Sequence, residues 1–109
     1  MPKIDQVQIL LQTNPKDNFL RFALAKEYEK LQKNQAAREV YEEIVSDSPD
    51  YIGTYYHLGK ILEKLNEPAA AFKIYTLGMA KAKELNENHA RNELAGARLE
   101  LGDEDDFDL

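Results

Sequence analysis

The chain contains no cysteine. That one gap removes disulfide staples, thiolate zinc sites and cysteine nucleophiles together. Histidine is scarce as well: only His57 and His89 occur, too few for a histidine-rich metal site, and no cofactor is expected. No apolar run approaches the roughly 20 residues needed to cross a bilayer, so a membrane is not an expected partner. The amino terminus, MPKIDQVQILLQ, has one lysine and then Asp5 among three glutamines. That is a poor signal peptide, and the chain reads as cytoplasmic. Positive charge is in deficit too, with 14 Lys and Arg against 20 Asp and Glu for a net charge of −6. Nucleic-acid binding rests on neutralising phosphates, so this balance argues against it.

What is present is a soluble, folded composition: 109 residues, 43% hydrophobic and 31% charged. The length fits one ordinary domain, and without staples its stability must come from apolar packing. The acid is unevenly placed. The last eight residues, GDEDDFDL, hold Asp103, Glu104, Asp105, Asp106 and Asp108 and no base. Fourteen bases against the fifteen remaining acids leave residues 1–101 close to neutral.

Sliding the chain against itself by 34 places reveals an internal repeat. Leu24 falls on Leu58, Ala25 on Gly59, Tyr28 on Leu62 and Leu31 on Leu65. Ala37 falls on Ala71, Tyr41 on Tyr75 and Val45 on Met79, while Lys26 and Lys30 fall on Lys60 and Lys64. Each unit reads as two helices. Ala37, Val40, Tyr41, Ile44 and Val45 make the one-sided apolar stripe of a packed helix, echoed by Ala71, Ile74, Tyr75, Gly78 and Met79. Asn34 and Asn66 are expected to stop one helix and cap the next, and Pro68 suits a first turn. Breaks are expected at NPKD and SPD, which hold Pro15 and Pro49. Gly59 stands inside a helical stretch, where glycine costs about 0.5–1 kcal/mol against alanine. Its repeat partner is Ala25, so a small residue is expected there to let two helix backbones approach closely.

These residues resemble the tetratricopeptide repeat, a 34-residue helix–turn–helix unit. The second unit carries the pattern in Tyr55, Leu58, Gly59, Leu62, Ala71, Tyr75 and Gly78. The first carries Leu24, Ala25, Tyr28, Ala37, Tyr41 and a closing Pro49. It departs at Arg21, where the family usually has a large apolar residue; the second unit departs at Lys83, in place of the closing proline. The resemblance implies an all-α helical repeat, a right-handed superhelix of about six antiparallel helices. The expected organisation is a single domain over 1–101, with a cap helix at 3–13, repeats at 18–49 and 52–83, and a second cap helix at 86–101. Leu85, Leu94, Ala97 and Leu101 are expected on the inner face of that last helix. Residues 102–109 read as an acidic, disordered tail.

The resemblance also implies a concave face lined by the first helix of each unit and holding an extended peptide or a partner helix. The residues it brings there are Phe22, Lys26, Tyr56, His57 and Lys60, with Arg91 and Arg98 from the cap helix. Some family members grip a carboxy-terminal carboxylate with a lysine–asparagine–asparagine–lysine–arginine clamp. Its positions fall here on Phe22, Lys26, His57, Glu87 and Arg91, so only the arginine is matched and such a receptor is not expected. Aromatics with lysines instead suit an acidic, aromatic-bearing peptide. The tail itself has that chemistry in Asp103, Glu104, Asp105, Asp106, Phe107 and Leu109, and is a candidate ligand as well as a solubilising end.

Catalysis is not expected. His57 with Glu63, or His89 with Glu93, could form an acid–base pair, but no nucleophile, phosphate loop or metal constellation accompanies either. The expected function is therefore protein–protein interaction, with self-assembly into a homo-oligomer, through cap helices or tail exchange, as the alternative.

Overall fold

The computed structural model describes residues 2–107, and among them the only regular secondary structure is helical. The helices are α1 (Lys3–Thr13), α2 (Asn18–Lys30), α3 (Asn34–Asp47), α4 (Gly53–Lys64), α5 (Pro68–Glu84), α6 (Asn88–Leu101) and the single turn α7 (Glu104–Phe107). They form two compact units, the first ending at Tyr51 and the second beginning at Ile52. α1, α2 and α3 make the first, and the remaining four helices make the second.

In the first unit α2 and α3 form a helical hairpin and α1 packs against α2. Asp17 starts α2 by accepting the Leu20 N–H on its carboxylate at 3.0 Å, which satisfies one of the donors a helix start leaves open. The core holds Val7, Ala25, Ala37, Tyr41 and Ile44. Arg21, the departure from the family pattern, is also buried. Its guanidinium donates to Asp47 at 2.8 Å and to Asn18 at 2.6 Å, joining the start of α2 to the end of α3. Asn18 in turn donates to the Ser48 hydroxyl at 2.9 Å. A polar clasp thus closes the open end of this hairpin, where the second unit has Tyr55 at the matching place.

The second unit repeats the hairpin with α4 and α5 and adds α6, which packs on both. Its core is larger: Tyr55, Leu58, Ile61, Leu62, Ala71, Phe72, Tyr75, Ala82, Leu94 and Ala97. Leu94 and Ala97 point inward as expected, whereas Leu85 ends α5 and is left exposed. α5 reaches Glu84 over 17 residues while α3 stops at Asp47 after 14. The difference follows from Lys83 standing where the first repeat has Pro49, since proline drives the residue before it out of helical geometry.

Three helix ends share one turn. After α2, α4 and α5 a residue with positive φ follows the last turn: Gln32 at 58°, Asn66 at 61° and Asn86 at 59°. In each, two N–H groups reach back to helix carbonyls, as Lys33 to Tyr28 and Gln32 to Glu29 do at 2.9 Å. This closure occupies carbonyls that would otherwise lack partners. Asn66 stops its helix as expected but does not cap the next one, since no side chain caps the start of α5. Asn34 does not cap one: it is the first residue of α3, and no side chain caps that start. Gln32 occupies the position that Asn66 fills in the second repeat.

Gly59 answers for its cost in propensity. A Cβ built on it would lie 2.1 Å from Cε1 of Tyr75, so the tyrosine ring of α5 rests directly on the α4 backbone. Gly78 plays the same part in α5, where a Cβ would meet Tyr55 Cβ at 2.6 Å and Leu94 Cδ1 at 2.9 Å. Both hairpins also share a part-buried polar tie. The Tyr41 hydroxyl donates to Glu29, and the Tyr75 hydroxyl donates to Glu63, each pair displaced by one repeat. Burial, and then the carboxylate beside each phenol, pushes both hydroxyls well above the ordinary tyrosine range, so they remain donors.

Candidate functional site

α4 is buried along one side by Thr54, Tyr55, Leu58, Gly59, Ile61 and Leu62. On the remaining side Tyr56 and His57 stand four and three places before Lys60, and Glu63 three after it, so a helix sets them along one stripe. All four are half-buried. The Tyr56 and His57 rings meet edge to face, with centroids 5.8 Å apart and planes at 84°. Lys60 Nζ lies 5.5 Å from the Tyr56 ring centroid and 3.8 Å from a Glu63 carboxylate oxygen. Glu63 is held in turn by Tyr75. The stripe is therefore a braced set of two aromatic rings, one cation and one anion. Lys60 already has an aromatic face and a carboxylate as neighbours, which tempers the positive charge expected of it.

Of the candidate groove residues, Tyr56, His57, Lys60, Arg91 and Arg98 fall in the second unit, and Phe22 and Lys26 in the first. Arg91 is exposed in the first turn of α6. Phe22 is half-buried and packs edge-on against Tyr41, with centroids 5.6 Å apart, and beside Tyr51 at 6.1 Å. Its ring thus serves the packing of the first hairpin. Lys26 is half-buried one helical turn further along α2.

The tail departs from expectation. Where residues 102–109 read as disordered, Glu104–Phe107 form a helical turn against the second unit. Asp103 and Asp106 start the turn reciprocally. The Asp103 carboxylate accepts from the N–H groups of Asp105 at 3.0 Å and Asp106 at 3.2 Å, while the Asp103 N–H donates to the Asp106 carboxylate at 2.8 Å. Phe107 stacks on Phe72 of α5, with centroids 4.7 Å apart and planes at 28°. Arg98 of α6 lies 4.5 Å from the Phe72 centroid and forms an ion pair with Glu104 at 3.2 Å. Arg98 therefore belongs to this contact rather than standing as a free groove cation. Asp105 is exposed, and Leu109 lies outside the described residues. The signal for this contact was faint: Phe72 is an aromatic standing where the first repeat has Arg38.

Among the described residues no three of His, Cys, Asp and Glu gather into a group able to hold a metal ion. No described helix is long and apolar enough to cross a membrane.

The family model of the tetratricopeptide repeat matches the chain twice, over residues 20–51 and 52–89. Among solved structures, the solution structure of a tetratricopeptide repeat domain protein from Salinibacter ruber is similar at 40% sequence identity, with a TM-score of 0.78 over 81% of this chain and 89% of that one. A crystal structure of a tetratricopeptide repeat domain protein from the same organism is also 40% identical, with a TM-score of 0.74 over 78% of this chain and 94% of that one. The solution structure of a Bordetella parapertussis protein, 24% identical, shares the fold with a TM-score of 0.82 over 96% of this chain and 91% of that one. No curated protein sequence matches.

Proposed function

The chain belongs to the tetratricopeptide repeat family, and from that premise we propose that it is a protein-interaction module whose second unit receives a peptide or partner helix along the outer stripe of α4. The fold generally mediates protein–protein interaction, and its members are typically non-enzymatic adaptors. The observation that supports the stripe is its composition: Tyr56, His57 and Lys60 are braced against one another yet keep part of their surface in solvent. Rigid aromatic rings lose little freedom when they bind, which is why they anchor interfaces. An acidic, aromatic-bearing segment would meet Lys60 and Arg91 with charge and Tyr56 with a ring. An exposed charge pair contributes only about 0.2–1 kcal/mol. Micromolar binding needs roughly −8 kcal/mol, so Tyr56 rather than either cation carries the larger share.

The test replaces Tyr56 with a photo-crosslinking phenylalanine analogue in cells. Defined adducts are expected there, and not with the same analogue at exposed Lys73 on α5. Lys60→Glu should weaken the adducts and leave the fold intact. Equal labelling at both positions would remove the stripe from consideration. A second reading, self-association, draws support from Ile9, Leu10, Leu77 and Leu99, large apolar residues left at least half exposed. A molecular mass that stays monomeric across concentration would remove it.

A further inference from the structure

The contact between the tail and Phe72 has the chemistry of a receptor and its ligand. With the turn in place Phe72 is fully buried, and Phe107 covers one of its faces. Arg98 makes two kinds of contact at once: its guanidinium lies over the Phe72 ring, and Nη2 meets the Glu104 carboxylate. A planar guanidinium suits both tasks, and a lysine would not replace it there. On the tail side, Glu104 and Phe107 are three residues apart, so one helical turn presents carboxylate and ring together. Asp103 and Asp106 close that turn locally, but a four-residue helix has no stability of its own in water. The seat on α5 and α6 is therefore what holds it. Gly102, at a φ of 142°, makes the bend that brings the turn back from the end of α6, in a conformation few other residues adopt.

We propose that the Phe72–Arg98 surface is an interaction site for an acidic segment with a phenylalanine three residues after a carboxylate, and that this chain's own Glu104–Phe107 turn fills it until such a segment of a partner protein displaces it. A tether this short gives the tail an effective concentration on the order of millimolar. The seat is thus closed by default even if the contact is weak, and a partner segment with the same contacts and a few more would open it. The seat lies on α5 and α6, apart from the α4 stripe, so neither reading depends on the other.

The experiment titrates the acetylated, amidated peptide GDEDDF into the isotope-labelled full chain carrying Phe107→Ala and follows amide shifts by NMR. Phe107 lies outside both repeats, so unchanged helix content confirms the variant's fold; Glu104→Lys, which sets like charge against Arg98, provides a second released form. Saturable shifts are expected around Phe72, Arg98 and Met79, whose sulfur lies 3.8 Å from an Arg98 nitrogen. Binding to Phe107→Ala should be roughly 10-fold tighter than to the wild type, given a peptide dissociation constant of about 0.1 mM against a millimolar tether, and binding to Glu104→Lys tighter than to the wild type by a smaller factor. It should weaken only modestly with salt, disappear in Phe107→Ala/Arg98→Glu, and persist when Lys60→Glu is added to Phe107→Ala. Equal binding to wild type and released forms, no binding to either released form, or shifts confined to α4 would overturn the proposal. So would a wild-type mass that doubles with concentration while Phe107→Ala stays monomeric, because a second copy would then be the tail's acceptor.

Discussion

Gly59 and Gly96 are both helix-interior glycines, and their surroundings give opposite expectations for the same substitution. At Gly59 an added Cβ would lie 2.1 Å from the Tyr75 ring, which is fully buried and tied through its hydroxyl to Glu63. The ring cannot swing aside without losing that bond. Gly59→Ala should therefore destabilise by about 1–3 kcal/mol, the usual cost of overpacking, despite a gain of about 0.5–1 kcal/mol in helix propensity. Gly96 is exposed on α6, and a Cβ added to it would meet nothing within 4 Å, so Gly96→Ala should keep that gain. Thermal unfolding followed by circular dichroism checks both, since about 1 kcal/mol moves the midpoint by roughly 4–8 °C in a domain of this size. If Gly59→Ala matched Gly96→Ala in sign, the close approach of Tyr75 would not be what requires glycine. The need for a small residue at 59 was legible because Ala25 stands one repeat earlier. The tyrosine ring that imposes it was not, since repeat spacing aligns positions without showing which side chain crosses to which.

Helix ends divide in the same way between what local chemistry announces and what the fold decides. The cap at Asp17 stood unnamed inside the NPKD break, whereas Pro68 opening α5 could be read directly, because a proline acts on its own backbone. Arg21 could not. An arginine in an apolar position is ambiguous until Asp47, 26 residues on, arrives at 2.8 Å. That pairing makes the joined ends of α2 and α3 sensitive to acid. The hydrogen bond from Arg21, helped by the charge of Lys16, holds the Asp47 carboxyl below its ordinary value of 3.8. A carboxyl depressed on folding contributes stability that is present above its unfolded value and lost as pH falls through its folded one. Asp47→Asn should lower the unfolding midpoint at pH 7, and the gap to wild type should narrow as pH drops below about 4. A gap of constant size down to pH 2 would mean that Asp47 acts through its shape rather than its charge.

Over the whole chain, composition describes the carboxy-terminal acid as solvated, and by composition alone that reading is sound. It fails because the decisive facts are spacings and a partner: Asp103 three residues before Asp106, Glu104 three before Phe107, and a surface that joins Arg98 to Phe72, a residue on α5 that no local window around the tail contains. The same limit applies at Phe22, where position in the repeat gave no sign of the ring's edge contact with Tyr41. What holds the tail can be separated into its apolar and ionic parts. Glu104 is largely exposed, so salt should screen its pair with Arg98, whereas the stacking of Phe107 on Phe72 is insensitive to ions. Cleavage by a glutamate-specific protease after Glu104 should thus be slow in wild type and fast in Phe107→Ala. Raising salt to about 0.5 M, where the Debye length falls below the roughly 8 Å of physiological solution, should leave wild type much closer to its low-salt rate than to the variant's. Acceleration by salt to the variant's rate would instead make the Arg98–Glu104 pair the main hold. The tail would then open with ionic strength, and its phenylalanine would serve only to set the register.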